Sequence, residues 1–293
     1  SYMGPVNFGR SYLDLEHIHI AGIHAPKWRR YASGQNISDL FKLPLAMTEA
    51  LWKLFWIMPD VIFSKGGYGS MPALAASRLY RIPVMVHESD SVPGLANRYA
   101  AKFAEKIFTS FLGAAGFFPE KKIMLVGNPV RPELASCTVE QGRGILNIRY
   151  TKPVLFITGG SQGAQKLNDV VVNTLPQLLE RYEIIHQCGA ALLDGVLEIV
   201  QKEYKPEFLQ SYHAYGLLSE DEMCAAYAVA DLVVARAGAS NIFEIAQAGK
   251  PSVLIPIANS ANNHQTENAH AYAKSGACVV LDEQNLSQNL FLE

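Results

Sequence analysis

Residues 154–164 read Val154-Leu155-Phe156-Ile157-Thr158-Gly159-Gly160-Ser161-Gln162-Gly163-Ala164. A short apolar and β-branched run of this kind has no polar alternation, which suits a strand covered on both faces, as in parallel sheets. The glycine cluster after it permits a tight turn and a close approach of backbone to a ligand. A helical pattern then runs from about Leu167 to Arg181, and a second strand, Glu183-Ile184-Ile185-His186, follows. Strand, tight turn, helix and strand in this order predict a βαβ unit.

The unit recurs on either side. Towards the C-terminus, Leu232-Val233-Val234-Ala235 is a strand, Arg236-Ala237-Gly238-Ala239-Ser240 a turn, Asn241 to Ala248 a helix and Pro251 to Pro256 another strand. Towards the N-terminus, the strand at 60–64 opens into Gly66-Gly67-Tyr68-Gly69-Ser70, and a helix follows from about Pro72 to Tyr80. Next come a strand over Pro83–His87, a Pro93-Gly94 loop, a helix over Asn97–Ala104, and strands at Lys106–Thr109 and Ile123–Val126. Between the two series, Gly127 to Lys152 is rich in glycine, proline and charge, lacks a clear period, and reads as a linker. The expected architecture is α/β, with two Rossmann-like doubly wound domains, residues 1–132 and 133–293, facing across a cleft where ligands would bind.

Bulk composition narrows the function. The chain has 293 residues, 49% hydrophobic and 18% charged, with a formal net charge of −2. That length favours two domains, and the charge gives no sign of a nucleic-acid partner. The cysteines Cys137, Cys188, Cys224 and Cys278 form no C-x-x-C pair. A reduced, cytosolic setting without a disulfide framework or zinc ribbon is therefore expected. No apolar run of about 18 residues suggests a transmembrane helix, and no signal peptide is read at the start. The opening Ser1-Tyr2-Met3-Gly4-Pro5 reads like the middle of a domain, so a truncated chain is expected.

Three strand–glycine turn–helix units, at Gly66, Gly159 and Gly238, offer helix N-termini with free N–H groups and a positive dipole end, which suit a diphosphate. Any one of them could serve packing alone. Their flanking residues decide. Gly159-Gly160-Ser161-Gln162-Gly163-Ala164, Arg236-Ala237-Gly238-Ala239 with Glu244, and His264-Gln265-Thr266-Glu267-Asn268-Ala269 together resemble the pattern of glycosyltransferase family 28. In the first half, Gly66-Gly67-Tyr68, Ile82-Pro83-Val84 with His87-Glu88, Pro93-Gly94-Leu95-Ala96-Asn97 and Gly127-Asn128-Pro129-Val130-Arg131 are similar to that family's segments, in the same order. The resemblance spans nearly the whole chain. It is strongest to members that add N-acetylglucosamine to undecaprenyl-diphospho-muramoyl-pentapeptide (lipid I), making lipid II of peptidoglycan.

The resemblance implies an inverting transfer from UDP-N-acetylglucosamine to the muramoyl C4 hydroxyl, in a fold of the GT-B type, without cofactor or bound metal. It implies that Ser161 and Gln162 contact the donor diphosphate and nearby sugar, and that Arg131 reaches across the cleft to the donor. Glu244 would accept hydrogen bonds from the ribose hydroxyls, for which an ionised carboxylate is suited. Ala239, Ser240 and Asn241 would line the nucleotide, the loop from Tyr215 to Leu218 would face the uracil, and His264 and Gln265 would read the sugar ring. The general base is expected in a Gly-rich, His-bearing loop that would precede Ser1, and the family's last helices would follow Glu293. Within the chain, Tyr68, His87, Glu88 and Asp90 are the remaining candidates for the base. A chain lacking that loop is expected to transfer sugar poorly or not at all.

The departures are His264-Gln265 where relatives carry two glutamines, Glu88-Ser89-Asp90 in place of Glu-Gln-Asn, and Ser240-Asn241 in place of Leu-Thr; these bear on sugar choice and acceptor contacts. More ordinary roles exist for every candidate: an exposed helix carboxylate for Glu244, a linker charge for Arg131, a surface N-cap for His264 and Gln265. His186, His213 and His270 read as structural or surface residues. The alternative functions are another lipid glycosyltransferase of the same fold, such as one acting on diacylglycerol, and a nucleotide-sugar-binding module without turnover.

One helix stands apart. Pro44 to Met58 carries Met47, Leu51, Leu54 and Met58 on one side, expected to pack on the core. Leu45, Trp52 and Trp56 fall on nearly the opposite side, with Lys27, Arg29, Arg30, Lys42 and Lys53 nearby in sequence. Tryptophans near basic groups fit an anionic bilayer surface, so the expectation is a peripheral enzyme on the cytoplasmic face of a bacterial membrane. The structural alternative is a helix buried on both sides.

Overall fold

The structure is a computed structural model, and it describes residues 1–5, 13–14, 16–24, 34–149, 151–160, 163–258, 260 and 263–293. For residues 34–43 and 135, only the backbone is described. The chain divides into two compact units, Ser1–Gly127 and Asn128–Glu293. The break therefore falls before Arg131, which belongs to the second unit.

In the first unit, strands β1 (Tyr2–Pro5) and β2 (Ile20–Ile23) pair in parallel as a two-stranded sheet. Helix α1 (Gly34–Ile57) follows. A second parallel sheet has the order β3 (Ile62–Ser64), β4 (Val84–Glu88), β5 (Lys106–Thr109), β6 (Ile123–Leu125). Helices α2 (Met71–Tyr80), α3 (Leu95–Ala100) and the single turn α4 (Leu112–Ala115) connect its strands. Val84, Val86 and Ile107 point to one face and are buried with Leu74, Ala96, Ala100 and Ala104 from the helices. That burial is what aligns the strand ends, since shifting any strand by one residue would turn its apolar side chains away from the helices.

Helix α1 differs from its expected extent. It begins at Gly34 and carries Pro44 inside it. A mid-helix proline lacks an N–H and costs about 3 kcal/mol. On the C-terminal side of Pro44, Ala46, Ala50 and Leu54 are buried at 0%, 0% and 3% exposure. Met58, expected on the core side, lies past the helix end at φ 46° and is 74% exposed. Its N–H still donates to Leu54 O at 2.9 Å, so it closes the last turn rather than filling the core.

The second unit opens with a correction to the linker reading. Within Gly127–Lys152 lies helix α5 (Val139–Leu146), started by a capping box between Thr138 and Gln141. Thr-x-x-Gln is a sequence-level start signal, and its reciprocal bonds satisfy two otherwise free N–H groups. A six-stranded parallel sheet follows, with strands β7 (Val154–Thr158), β8 (Glu183–Gln187), β9 (Tyr212–Tyr215), β10 (Leu232–Ala235), β11 (Ser252–Leu254) and β12 (Cys278–Val280). The intervening helices are α6 (Gln165–Arg181), α7 (Leu193–Glu203), α8 (Glu220–Val229), α9 (Ala239–Ala248) and α10 (His264–Ala273), and α11 (Gln288–Leu292) ends the chain. β7 is buried at every residue, as its unbroken apolar run requires. The strand order is β12-β11-β10-β7-β8-β9. From the central pair, successive strands run outward in opposite directions, so the order reverses between β7 and β10.

Candidate functional site

A reversal of strand order leaves a crevice beyond the carboxyl ends of the central strands, because the two flanking connections diverge there. In the second unit that place lies beyond β7 and β10, and the loops after β7, β10 and β11 border it. Three of the expected binding segments are these loops.

After β7 the chain turns at Gly160, whose φ is 80° and whose N–H donates to Thr158 Oγ1 at 3.1 Å. Gly163, at φ 74°, passes so close to the next strand's exit that an added Cβ would lie 2.2 Å from Cys188 O. Only glycine fits there. Helix α6 then starts at Gln165 with no side-chain cap on its first N–H groups. Ser161 and Gln162 lie outside the described residues.

After β10, Gly238 precedes α9, again with no side-chain cap. The N-terminal amides of α6 and α9 are thus left by their own caps for water or an anion. The two turns adjoin, since a Cβ on Gly160 would sit 4.0 Å from Asn241 Nδ2. Ala239 is buried, Ser240 is exposed, and Asn241 donates through Nδ2 to Arg236 O at 3.1 Å. Glu244 points inward at 8% exposure, not outward as a helix-surface carboxylate would. Its Oε1 accepts from Arg131 Nε at 3.2 Å and Nη2 at 2.9 Å, and Tyr227 O–H lies 3.4 Å from its Oε2. Arg131, expected to reach from the first domain, is a member of this unit and pairs with the carboxylate expected to hold the ribose.

After β11, Gln265 in the first turn of α10 accepts from Ile257 N through Oε1 at 3.0 Å, and its own N–H donates to Ser260 Oγ at 3.2 Å. His264 and Gln265 are both half-buried at the start of α10. Tyr215–Leu218, the segment expected to face the uracil, leaves β9 at the sheet edge, two strands from β7. There Leu218 N donates to Gln187 Oε1 at 3.4 Å, and Leu217 is 53% exposed.

Arg236 carries more of this arrangement than its place in the motif suggested. Its guanidinium is buried at 6% exposure, donates through Nη1 to Ile255 O at 3.1 Å, and pairs through Nη2 with Glu283. Glu283 Oε2 accepts from Ala258 N at 3.1 Å, so one ion pair ties the end of β11 and the start of its loop to the segment after β12. Tyr227 and Glu283 were missed by sequence reasoning. Tyr227 sits in a helical run whose only available signal was a tyrosine on an apolar face, a position where the hydroxyl needs a partner.

In the first unit, His87 and Glu88 end β4, both almost fully buried. His87 Nε2 lies 3.0 Å from Gly127 O and so carries the proton donated to it. Burial holds the imidazole below its ordinary pKa, and nearby Lys65 adds to this, while the bond to Gly127 opposes it. Glu88 accepts from Asn97 Nδ2 at 2.8 Å and from the amides of Asp90 and Gly94 at 3.0 and 3.1 Å. Burial pushes its carboxyl up while these donors pull it down, for a net rise. Glu88 braces the loop that follows β4, while His87 ties the end of β4 to the segment after β6. Gly66 sits against that brace, at φ 80° with an added Cβ only 2.7 Å from Asn97 Oδ1. Of the four candidates for the base, Tyr68 is the exposed one at 43%, and Asp90 is half-buried.

Leu45, Trp52 and Trp56 stand out from α1 at 53%, 65% and 67% exposure, with Phe55 at 51% beside them. Trp56 meets both Trp52 and Phe55 edge-to-face, at 5.7 and 5.8 Å between ring centroids. Lys53 donates to Gly22 O. Lys27, Arg29 and Arg30 lie outside the described residues, as does the Lys42 side chain. Among the described residues no helix is long and apolar enough to cross a membrane, and no group of three or more His, Cys, Asp or Glu is placed to hold a metal ion.

Residues 2–109 match the family model for the glycosyltransferase family 28 N-terminal domain, and residues 154–292 that for the C-terminal domain. A Treponema denticola protein named UDP-N-acetylglucosamine--N-acetylmuramyl-(pentapeptide) pyrophosphoryl-undecaprenol N-acetylglucosamine transferase is 38% identical over 277 residues, covering 92% of this chain and 71% of that one. A Bacillus cereus protein of the same name, numbered 2, is 38% identical over 289 residues, covering 98% and 79%. The crystal structure of Acinetobacter baumannii MurG superposes with a TM-score of 0.72 at 26% identity, covering 100% of this chain and 79% of that one. A UDP-GlcNAc 2-epimerase from Neisseria meningitidis, bound to UDP-GlcNAc, shares the fold with a TM-score of 0.60 at 13% identity, covering 96% and 78%.

Proposed function

The chain belongs to glycosyltransferase family 28, and from that premise we propose that it transfers N-acetylglucosamine from UDP-N-acetylglucosamine to the muramoyl C4 hydroxyl of undecaprenyl-diphospho-muramoyl-pentapeptide, with inversion. The observation that carries the donor half of this reading is the inward-facing Glu244, one turn into a helix whose uncapped N-terminus adjoins the Gly160 turn. A carboxylate suits a ribose diol, and two helix N-termini suit the diphosphate that leaves. Ser161, Gln162, Ala239, Ser240, Asn241, His264 and Gln265 complete the proposed donor site in the second unit. The first unit is assigned the acceptor, with its loops after β3 and β4, and Tyr68 and Asp90 as the side chains most open to it.

Transfer of labelled N-acetylglucosamine into solvent-extractable lipid tests the assignment. Whatever incorporation occurs is expected with a lipid I analogue and not with diacylglycerol, and with the UDP-N-acetylglucosamine donor over UDP-glucose. Equal use of diacylglycerol would move the protein to the other class of lipid glycosyltransferases.

The same reading gives the exposed face of α1 a role at the membrane where the lipid acceptor resides. Leu45, Trp52, Phe55 and Trp56 form an apolar, aromatic patch of the kind that settles at headgroup level. Moving each tryptophan's exposed area, on the order of 100 Å², out of water at about 25 cal/mol/Å² is worth about 2.5 kcal/mol. Trp52→Ser with Trp56→Ser should therefore cut co-sedimentation with anionic vesicles at least roughly tenfold while donor affinity holds. Equal sedimentation of parent and double variant would remove the membrane role.

A further inference from the structure

Counting the hydrogen bonds on Glu244 exposes a conflict at the proposed ribose site. An ionised carboxylate has about four acceptor positions, two on each oxygen. Arg131 fills both on Oε1, through Nε at 3.2 Å and Nη2 at 2.9 Å. Tyr227 takes one on Oε2, at 3.4 Å. One position remains, and a ribose diol brings two donors.

The two partners are not equivalent. Tyr227 is 1% exposed and packs edge-on against Phe156, 5.3 Å between centroids at 87°. Burial, with Glu244 alongside, keeps its hydroxyl protonated far above neutral pH, so it remains a donor. It cannot leave without opening the core. The Arg131 side chain keeps 35% of its surface in solvent, against 10% for Glu244. It lies in an extended segment ahead of a short 3-10 turn, Pro132–Ala135, where one side chain can swing without disturbing a helix. Arg131 is the partner that can give way.

We propose that Arg131 and Tyr227 are positioning residues for Glu244, with Arg131 closing the ribose subsite in the unliganded chain and exchanging its place on Oε1 for a ribose hydroxyl, while Tyr227 anchors Oε2 throughout. This rests on the reading that Glu244 takes the ribose. The exchange moves no covalent bond. It turns a bidentate ion pair into a diol–carboxylate contact and leaves the guanidinium free beside the site, where the donor's diphosphate can meet it.

The exchange has a signature that a merely structural ion pair lacks. Uridine has a ribose and no phosphate, so it competes with Arg131 and gains nothing from releasing it. Arg131→Ala should tighten uridine by roughly 2- to 5-fold, the scale of a partly exposed ion pair, and weaken UDP. Arg131→Lys, which keeps the charge but not the fork, should fall between parent and alanine for uridine. Tyr227→Phe should narrow the preference for uridine over 2′-deoxyuridine, because an unanchored carboxylate reads the second hydroxyl less well. NMR titration of the 293-residue chain with uridine, 2′-deoxyuridine and UDP measures all three. Uridine binding in Arg131→Ala that is unchanged or weaker overturns the exchange. Glu244→Gln separates the premise: if it leaves the preference for uridine over 2′-deoxyuridine intact, the ribose reading itself is wrong and the exchange falls with it. A lost preference in Glu244→Gln together with unchanged uridine affinity in Arg131→Ala overturns the exchange alone.

Discussion

Replacing Arg236 with alanine is expected to destabilise the second unit by about 3–5 kcal/mol, the range for removing one member of a buried ion pair. The remaining member explains the size. Glu283 is 15% exposed at its side chain and would keep a charge with its main cationic partner gone. The loop after β11 would also lose an anchor, because Arg236 Nη1 holds Ile255 O and Glu283 Oε2 holds Ala258 N. A double variant that also removes the carboxylate, Glu283→Ala, should cost less than the sum of the two single changes, since neither charge is then left alone. Urea denaturation followed by a probe in the second unit gives the numbers. Additive costs would show that the pair does not act as a unit.

The pair also makes a statement about pH. Burial pushes the Glu283 carboxyl up, but the Ala258 amide, the Arg236 guanidinium and Lys166 pull it further down, so it ionises below its ordinary value. A depressed folded-state pKa contributes stability above the unfolded value, about 4.3 for a glutamate. That contribution fades as the pH falls through the lower folded value. The parent should therefore lose stability on acidification below about pH 4, and Arg236→Ala should show a shallower loss over the same window.

How much of this was visible beforehand depended on which force set each feature. The parallel strands were legible because burial on both faces writes an unbroken apolar run, as in Val154–Thr158. The glycine turns were legible because the φ near 80° at Gly66 and Gly160 is open at little cost only to glycine. Helix α5 was passed over because glycine and charge hid its Thr138 and Gln141 start signal, although the signal was local and readable. The true start of α1 was not readable in the same way. Pro44 fits a helix start by local rules, yet the helix begins ten residues earlier, at Gly34. Glu244 and Arg131 could be picked out as site residues by resemblance, but their pairing, and the part of Tyr227, could not. Arg131 and Tyr227 lie 113 and 17 residues away in sequence. Only the fold brings the segment ahead of α5 and the buried face of α8 to one carboxylate in the second turn of α9.

Glu244→Ala is expected to weaken UDP-N-acetylglucosamine binding by about 1.5–3 kcal/mol, the range for hydrogen bonds to a charged group, or roughly 10- to 150-fold. Two effects oppose each other in this variant. The ribose hydroxyls lose their acceptor, which leaves donors facing a buried methyl group. Arg131 loses its ion pair and becomes free to meet the diphosphate without first being released. A pair whose arginine is one-third exposed is worth no more than about 1 kcal/mol, so the first effect wins and affinity falls. With UDP the same balance applies, because the sugar ring contacts neither residue in the proposed arrangement. Binding of 2′-deoxy-UDP to the parent should already be weaker, and Glu244→Ala should add less for that ligand than for UDP, because one of the two lost contacts is absent from the start. Calorimetric titration of the 293-residue chain with both nucleotides separates these terms. Equal losses for UDP and 2′-deoxy-UDP would mean that Glu244 acts on the site through Arg131 alone, and unchanged affinity for both would take the ribose role away from it altogether.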